Sequence, residues 1–154
     1  LGVCTLSRPW GRRARAQWIT PGALFEGEPL PLFNRGEMWR DFTYIDDIVR
    51  GVIACLDGPP ADDGQAKAGG SISPHALYNI GNNRPEQLLD VVTLLERALG
   101  KTARRELAPM QPGDVPATYA DVDDLMRDVG FRPATSIEDG VERFIRWFRD
   151  YYRL

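Results

Sequence analysis

The sequence predicts an α/β domain of short strands with about four or five helices. Apolar residues recur at three- and four-residue spacing over 48–56, 88–99 and 141–152, the period of helices with one buried face. Between them stand short β-type runs, "PLPLF", "RDFTY", "ALYNI" and "TARREL". Glycine and proline clusters, from "NRGEM" to "GPP" and "QPGD", separate the two kinds of segment.

Taken in order, "LGVCTL" at residues 1–6 has the composition of a buried strand. Residues 14–26 have helical character that Pro21 and Gly22 would kink or end. "PLPLF" (29–33) reads as an edge strand, because proline cannot donate to a ladder. "NRGEM" is the turn after it, and Arg40 to Tyr44 the next strand. From Ile45 a helix carries Ile48, Val49, Val52, Ile53 and Leu56 on one face, with Asp46 and Asp47 in its first turn. Gly58-Pro59-Pro60 stops it. The small, polar run at 57–73 is expected to be disordered, since it offers too little apolar surface to hold a fixed path. "ALYNI" (76–80) reads as a strand, and Pro85 as the first residue of a helix bearing Leu88, Val91, Val92, Leu95 and Leu99, capped by Gly100. Residues 102–107 form a last strand, and a long loop follows. Asp121 then caps a short helix ended by Gly130. Ser136-Ile-Glu-Asp139 resembles a capping box and opens the final helix, with its stripe Val141, Phe144, Ile145, Phe148 and Tyr152.

The chain of 154 residues is the size of one domain, near the common mode of about 100 to 150 residues. A formal net charge of −3 supplies no overall basic field for nucleic acid or anionic lipid, although Arg8, Arg12, Arg13 and Arg15 cluster early. Cys4 and Cys55 form no CxxC, and His75 is the one histidine, so metal-ligand spacing is absent. No apolar run reaches the roughly 18 residues of a membrane span. The expected setting is aqueous, reducing and cytoplasmic, with neither nucleic acid nor membrane as partner.

Chemistry concentrates at three places where side chains sit in loops or at strand ends: "RPWGRR" (8–13), "WRDF" (39–42) and "QPGDV" (111–115). Arginine offers a planar fork of donors that matches phosphate oxygens, and two such forks can hold a diphosphate. Each place also has a plainer reading. Arg40 can pair with Glu37 or Asp41, Arg12 can be solvated, and Asp114 can shape a Gly-Asp turn. No GxSxG accompanies His75, and neither GxGxxG nor GxxxxGK[ST] occurs, so nothing in the chain cradles a dinucleotide.

The segments "PWGR", "GEPLPLFNRGEMWRDFTYIDDIVRGV", "YNIGNNRPEQLLDVV" and "MQPGDVPATYADVDDLMRDVGFRPATSIEDGVERFIRWFRDYY" closely resemble the C-terminal half of NAD-dependent nucleotide-sugar epimerases. These are extended short-chain dehydrogenase/reductases, and the likeness is greatest to UDP-glucuronate 4-epimerases. It runs from about Thr5 to the end, interrupted at 57–73. The resemblance implies that residues 1–154 are the UDP-sugar-binding domain of an extended Rossmann-type enzyme, without its NAD-binding Rossmann half. In the family that half also supplies a Tyr-x-x-x-Lys pair. The tyrosine takes the proton of the sugar 4-hydroxyl, NAD takes the 4-hydride, and the 4-keto sugar turns to receive it on its other face.

Residue by residue, the resemblance makes Arg40 a ligand of the substrate diphosphate and Arg12 another contact near that group or the sugar acid. Asp114 would face the uridine ribose or the diphosphate. Gln111 stands where galactose-type relatives have arginine, so a salt contact becomes a neutral hydrogen bond. Phe33 would wall the uracil ring, and Thr5 lies by the sugar carboxylate. Ser7 and Arg8 depart from the family's Tyr-Gly. The lysines, Lys67 and Lys101, are preceded four residues back by Asp63 and Arg97, so this chain lacks the catalytic pair. The expectation is therefore a substrate-binding portion, inactive alone, that binds no cofactor itself and pairs with the NAD-binding half of its parent. An exposed apolar face would also permit a homo-oligomer. Rival readings are the same half of a dehydratase or decarboxylase, or a stand-alone nucleotide-binding or interaction module.

Overall fold

The computed structural model describes residues 22–154. The first described element is helix α1 (22–26). Strand β1 (Pro29–Leu32), a turn at Phe33–Gly36, strand β2 (Trp39–Asp41) and helix α2 (Ile45–Asp57) follow. Residues 58–84 carry neither helix nor strand. Then come β3 (Pro85–Gln87), α3 (Leu88–Leu99), β4 (Arg104–Leu107), α4 (Asp123–Val129) and α5 (Ile137–Tyr152). The α/β class and the number of helices match the expectation from sequence.

The described strands form two separate pairs: β1 parallel to β4, and β2 antiparallel to β3. In β1, Leu30 and Leu32 are buried while Pro29 and Pro31 are exposed. The amide of Ala108 donates to the carbonyl of Leu32 at 2.9 Å, so the backbone groups of Leu30 and Leu32 point to β4 and those of the prolines to the edge left unpaired among the described residues, where a missing donor costs nothing. This bears out the edge-strand reading.

Helix α3 organises the core because apolar residues occupy two of its faces. Val91, Leu95 and Leu99 meet Ile137, Val141, Phe144, Ile145 and Phe148 of α5, with Leu24 and Phe42 closing the cluster. Val92 turns instead toward Leu30 and Leu32 of β1. Burying each such side chain contributes about 1.5–3 kcal/mol. The ends of these helices are satisfied locally. The amide of Asp139 donates to Ser136 Oγ at 3.1 Å, Gly100 ends α3 at φ +69°, and Arg149 Nη2 reaches the carbonyls of Ala98 and Leu99 at 3.2 and 3.1 Å.

Several expectations fail for physical reasons. Residues 76–80 form no strand, because a strand exists only by pairing and nothing among the described residues pairs with it. Pro85 begins β3, opposite Asp41, and helix α3 starts three residues later. Asp121 precedes the cap of α4 rather than forming it: its carboxylate accepts from the amide of Asp123 at 3.1 Å, and Val122 is the cap residue. Tyr152 ends the α5 stripe but is exposed. The apolar stripe of α2 points outward, while Asp47 and Gly51 are its buried residues.

Two buried carboxylates tie the loops to this framework. Asp47 is 1% exposed and accepts from the amides of Ala134 and Thr135 at 3.2 and 3.0 Å, from the Thr135 hydroxyl at 3.2 Å, and from Arg50. Asp41, 6% exposed, accepts from the amides of Asn82, Asn83 and Ala120 at 3.1, 3.2 and 3.0 Å. One carboxylate thus joins β2, the turn before β3 and the end of the long loop. Gly81 is required beside it: an added Cβ would lie 2.3 Å from Ala120 Cβ and 2.9 Å from Asp41 Oδ2.

For Asp47, burial opposes ionisation, but the Thr135 and Ala134 amides, Arg50 and the Thr135 hydroxyl together hold the carboxyl below its ordinary range. A depressed carboxyl contributes stability that is fully present at neutral pH and is lost as pH falls below about 3.9 and through the lowered folded value. In thermal unfolding at pH 7, Asp47→Ala is expected to cost about 2–5 kcal/mol, and its deficit against wild type should shrink toward zero in strong acid. Asp41→Asn places an amide donor against amide donors and should cost about 2–4 kcal/mol, whereas Asp46→Asn, at an exposed position, should stay within about 0.5 kcal/mol of wild type.

Candidate functional site

Arg40 is the middle residue of β2, with Glu86 opposite it on β3. The other side of β2 is lined by the loop after β4, where Trp39 forms an isolated parallel bridge with Ala117. This loop is fixed at both ends. At its start, Arg35 N donates to Ala108 O at 3.0 Å. At its end, Trp39 N donates to Pro116 O at 2.9 Å, Thr118 N to Trp39 O at 3.1 Å, and Asp41 N to Thr118 Oγ1 at 3.2 Å. The "QPGD" bend therefore hangs between the turn that follows β1 and the start of β2.

That path brings Asp114 to Arg40. Arg40 Nη2 lies 3.8 Å from Asp114 Oδ1, and the two side chains are 17% and 38% exposed. Asp114 N donates to Gln111 O at 3.1 Å, so the bend also fixes Gln111 beside the pair in the chain. Neither plainer partner for Arg40 is used. No ion pair joins Arg40 to Glu37, and Asp41 is committed to backbone amides; Glu86 across the ladder is held by Arg84 at 3.2 Å. Arg40 Nη1 donates to the Trp39 carbonyl at 2.8 Å and Nη2 lies 3.8 Å from the Met38 sulfur. Its Nε makes no hydrogen bond among the described residues. The fork is thus oriented by neutral backbone and a thioether, and its charge is met by one loosely placed, partly exposed carboxylate. Such a pair contributes little to stability and leaves donors free for an oxyanion.

Phe33 opens the Phe33–Gly36 turn, half-buried, at the other end of the same loop. Asn34 and Arg35 in this turn adopt φ of +49° and +55°. No hydrogen bond or ion pair joins Phe33 to Arg40. Gln111 is exposed. Arg12 and Thr5 lie outside the described residues.

A cavity of about 620 Å³ lies elsewhere, between residues 58–69, Tyr78 and α4. Its charges are spent internally: Lys67 on Asp63, and Arg127 on Asp124 and Asp128 at 2.6 and 2.8 Å. Tyr78 donates to Asp128 at 3.0 Å, and its hydroxyl is shifted upward by burial and by that carboxylate. No group of three or more metal-ligating side chains occurs among the described residues, and no helix there is long and apolar enough to cross a membrane. Sequence reading missed Asp41 and Thr118, which carry no ligand-binding signature and reveal themselves only by what they hold.

Comparison with known proteins gives a consistent family. The model of the NAD dependent epimerase/dehydratase family matches residues 13–81. The Staphylococcus aureus protein CapI is 42% identical over 97% of this chain and 46% of its own length. A probable UDP-glucuronate 4-epimerase of Rhizobium meliloti is 38% identical, again over 97% of this chain and 46% of its own. The chain therefore spans about half the length of the curated relatives it matches. Among solved structures, UDP-glucuronic acid 4-epimerase from Bacillus cereus, in complex with UDP-glucuronic acid and NAD, superposes with a TM-score of 0.77 at 29% identity, covering 95% of this chain and 43% of the other. By sequence and by fold, the chain is similar to members of the NAD dependent epimerase/dehydratase family.

Proposed function

We propose that this chain is the UDP-sugar-binding portion of an NAD-dependent nucleotide-sugar 4-epimerase, acting on a UDP-hexuronic acid, with Arg40 as the diphosphate anchor. The observation that carries the reading is the Arg40 fork, held at the head of β2 with Asp114 at 3.8 Å and otherwise neutral partners. A diphosphate approaching Arg40 competes with Asp114 for the guanidinium. Asp114 then does better turning its oxygens to hydroxyl donors, which the ribose of the same nucleotide supplies. Gln111 and Phe33 act from the same loop and turn, Gln111 as a neutral donor and Phe33 as a wall for the base. Arg12 and Thr5 complete the grip on the diphosphate and the sugar acid.

This division of labour suits inversion through a 4-keto intermediate, because the sugar must turn while the nucleotide stays put. Binding energy drawn from the unreacting diphosphate positions the reacting carbon. The chain's own residues do not fit NAD: the sequence has neither a dinucleotide-binding glycine pattern nor a Tyr-x-x-x-Lys pair. No step of proton or hydride transfer is assigned to it, and its part is to bind and orient.

Thermal unfolding with added nucleotide tests this. UDP should raise the melting temperature and uridine should not. Arg40→Ala removes charge-assisted hydrogen bonds of about 1.5–3 kcal/mol, so UDP affinity should fall about ten- to a hundredfold. Without ligand, Arg40→Ala should remain within about 1 kcal/mol of wild type. An absent UDP shift, or one that Arg40→Ala leaves intact, refutes the anchor.

A further inference from the structure

Backbone groups alternate in direction along β2, so Trp39 and Asp41 both face the 116–120 segment while Arg40 between them pairs with β3. The first rung on the loop side is made by backbone alone. Trp39 N donates to Pro116 O at 2.9 Å, and Thr118 N donates to Trp39 O at 3.1 Å. A regular parallel ladder would continue with Asp41 N on the Thr118 carbonyl and Ala120 N on the Asp41 carbonyl. Neither bond is made. In their place Asp41 N donates to Thr118 Oγ1 at 3.2 Å, and Ala120 N donates to Asp41 Oδ2 at 3.0 Å. Side-chain oxygens thus take both acceptor positions of the second rung, and the pairing ends after the Trp39–Ala117 bridge. The carboxylate of Asp41 also serves Asn82 and Asn83, but the Thr118 hydroxyl makes no other hydrogen bond among the described residues. It is dedicated to this one amide.

We infer that Thr118 is a positioning residue for the Arg40–Asp114 pair: its hydroxyl, taking the Asp41 amide in place of its own carbonyl, sets where Asp114 meets the guanidinium and so tunes the grip on a nucleoside diphosphate. The coupling is short. Val115 alone separates Asp114 from Pro116, whose carbonyl is fixed on β2, and the Gln111–Asp114 turn closes at 3.1 Å on the other side. A change in how 116–118 lies along β2 is therefore passed to Asp114. An acceptor at the end of a side chain holds the Asp41 amide without drawing the loop backbone into register beside it. Without the hydroxyl, that amide is left unpaired or turns to the Thr118 carbonyl, which pulls 116–120 into regular pairing and shifts the bend ahead of it. The effect on nucleotide binding rests on the proposed function of Arg40, whereas the placement of Asp114 by Thr118 does not depend on it.

The test is a double-mutant cycle in the full chain, with Thr118→Val and Thr118→Ser each combined with Asp114→Asn. Two quantities are read: the Arg40 Nε–H resonance without ligand, and the affinity for UDP. In wild type and in Thr118→Ser, Asp114→Asn should shift the Arg40 resonance; in Thr118→Val that shift should be largely lost. UDP affinity should fall about three- to tenfold in Thr118→Val and stay within about twofold in Thr118→Ser, which keeps the acceptor. Once Asp114 is replaced, Thr118→Val should cost less than about twofold more, the non-additivity of two residues acting through one contact. Thr118→Ala removes the same acceptor and should repeat the Thr118→Val results, which guards against misfolding of the valine variant. A Thr118→Val chain that melts lower but keeps the Asp114-dependent shift and the UDP affinity shows a brace only and overturns the proposal. Losses that are equal with and without Asp114, or that Thr118→Ser fails to rescue, overturn it as well. If UDP fails to bind wild type, the nucleotide reading fails, and the ligand-free resonance still decides whether Thr118 places Asp114.

Discussion

The carboxylate of Asp41 accepts the amides of Asn82, Asn83 and Ala120 while its own amide donates to Thr118, and through these bonds three separate stretches of backbone meet at the end of β2. A charge held at 6% exposure is costly unless its lone pairs are filled. Here they are filled by loop amides that would otherwise lack partners, so the loops and the charge stabilise each other. Gly81 belongs to the same arrangement, since any side chain there would collide with Ala120. Asp47 repeats the device at the start of α2, fixing residues 134–135 ahead of α5.

The position of Arg40 follows from this constraint. Its neighbour Asp41 is consumed by backbone amides, so the arginine has no adjacent acid to collapse onto. The loop that Asp41 secures through Thr118 and Ala120 returns along β2 and carries Asp114 to the guanidinium. The pair at 3.8 Å is long and open to water, which makes it a weak brace and a readily exchanged one. An oxyanion with better geometry can replace it without disturbing the fold beneath.

Elements with a local physical code were legible in the sequence. Ser136 capped α5 as its Ser-Ile-Glu-Asp pattern implied, Gly100 ended α3, and the prolines of "PLPLF" marked an open edge. The stripes of α3 and α5 found each other in the core. What failed depended on partners distant in the chain. "ALYNI" has strand composition but no ladder among the described residues, and the stripe on α2 has helical period but faces outward. Periodicity reports that a face is apolar and is silent about what covers it. The site was legible in part: the separation of "WRDF" and "QPGDV" singled out Arg40 and Asp114, which the fold brings together. Asp41 read only as a neighbour of Arg40, because a structural carboxylate and a solvated one are identical until their donors are known.

These relations divide the molecule into a base, built on Asp41 and the α3–α5 core, and the arginine presented on it, which we propose as the diphosphate anchor. The most direct test is an NMR titration that follows the Arg40 side-chain Nε–H resonance as UDP or uridine is added. A shift of that resonance with UDP and none with uridine is the predicted result. An unperturbed Arg40 signal, with UDP-induced shifts gathered instead at Lys67 and Arg127, would contradict the assignment of the diphosphate to Arg40.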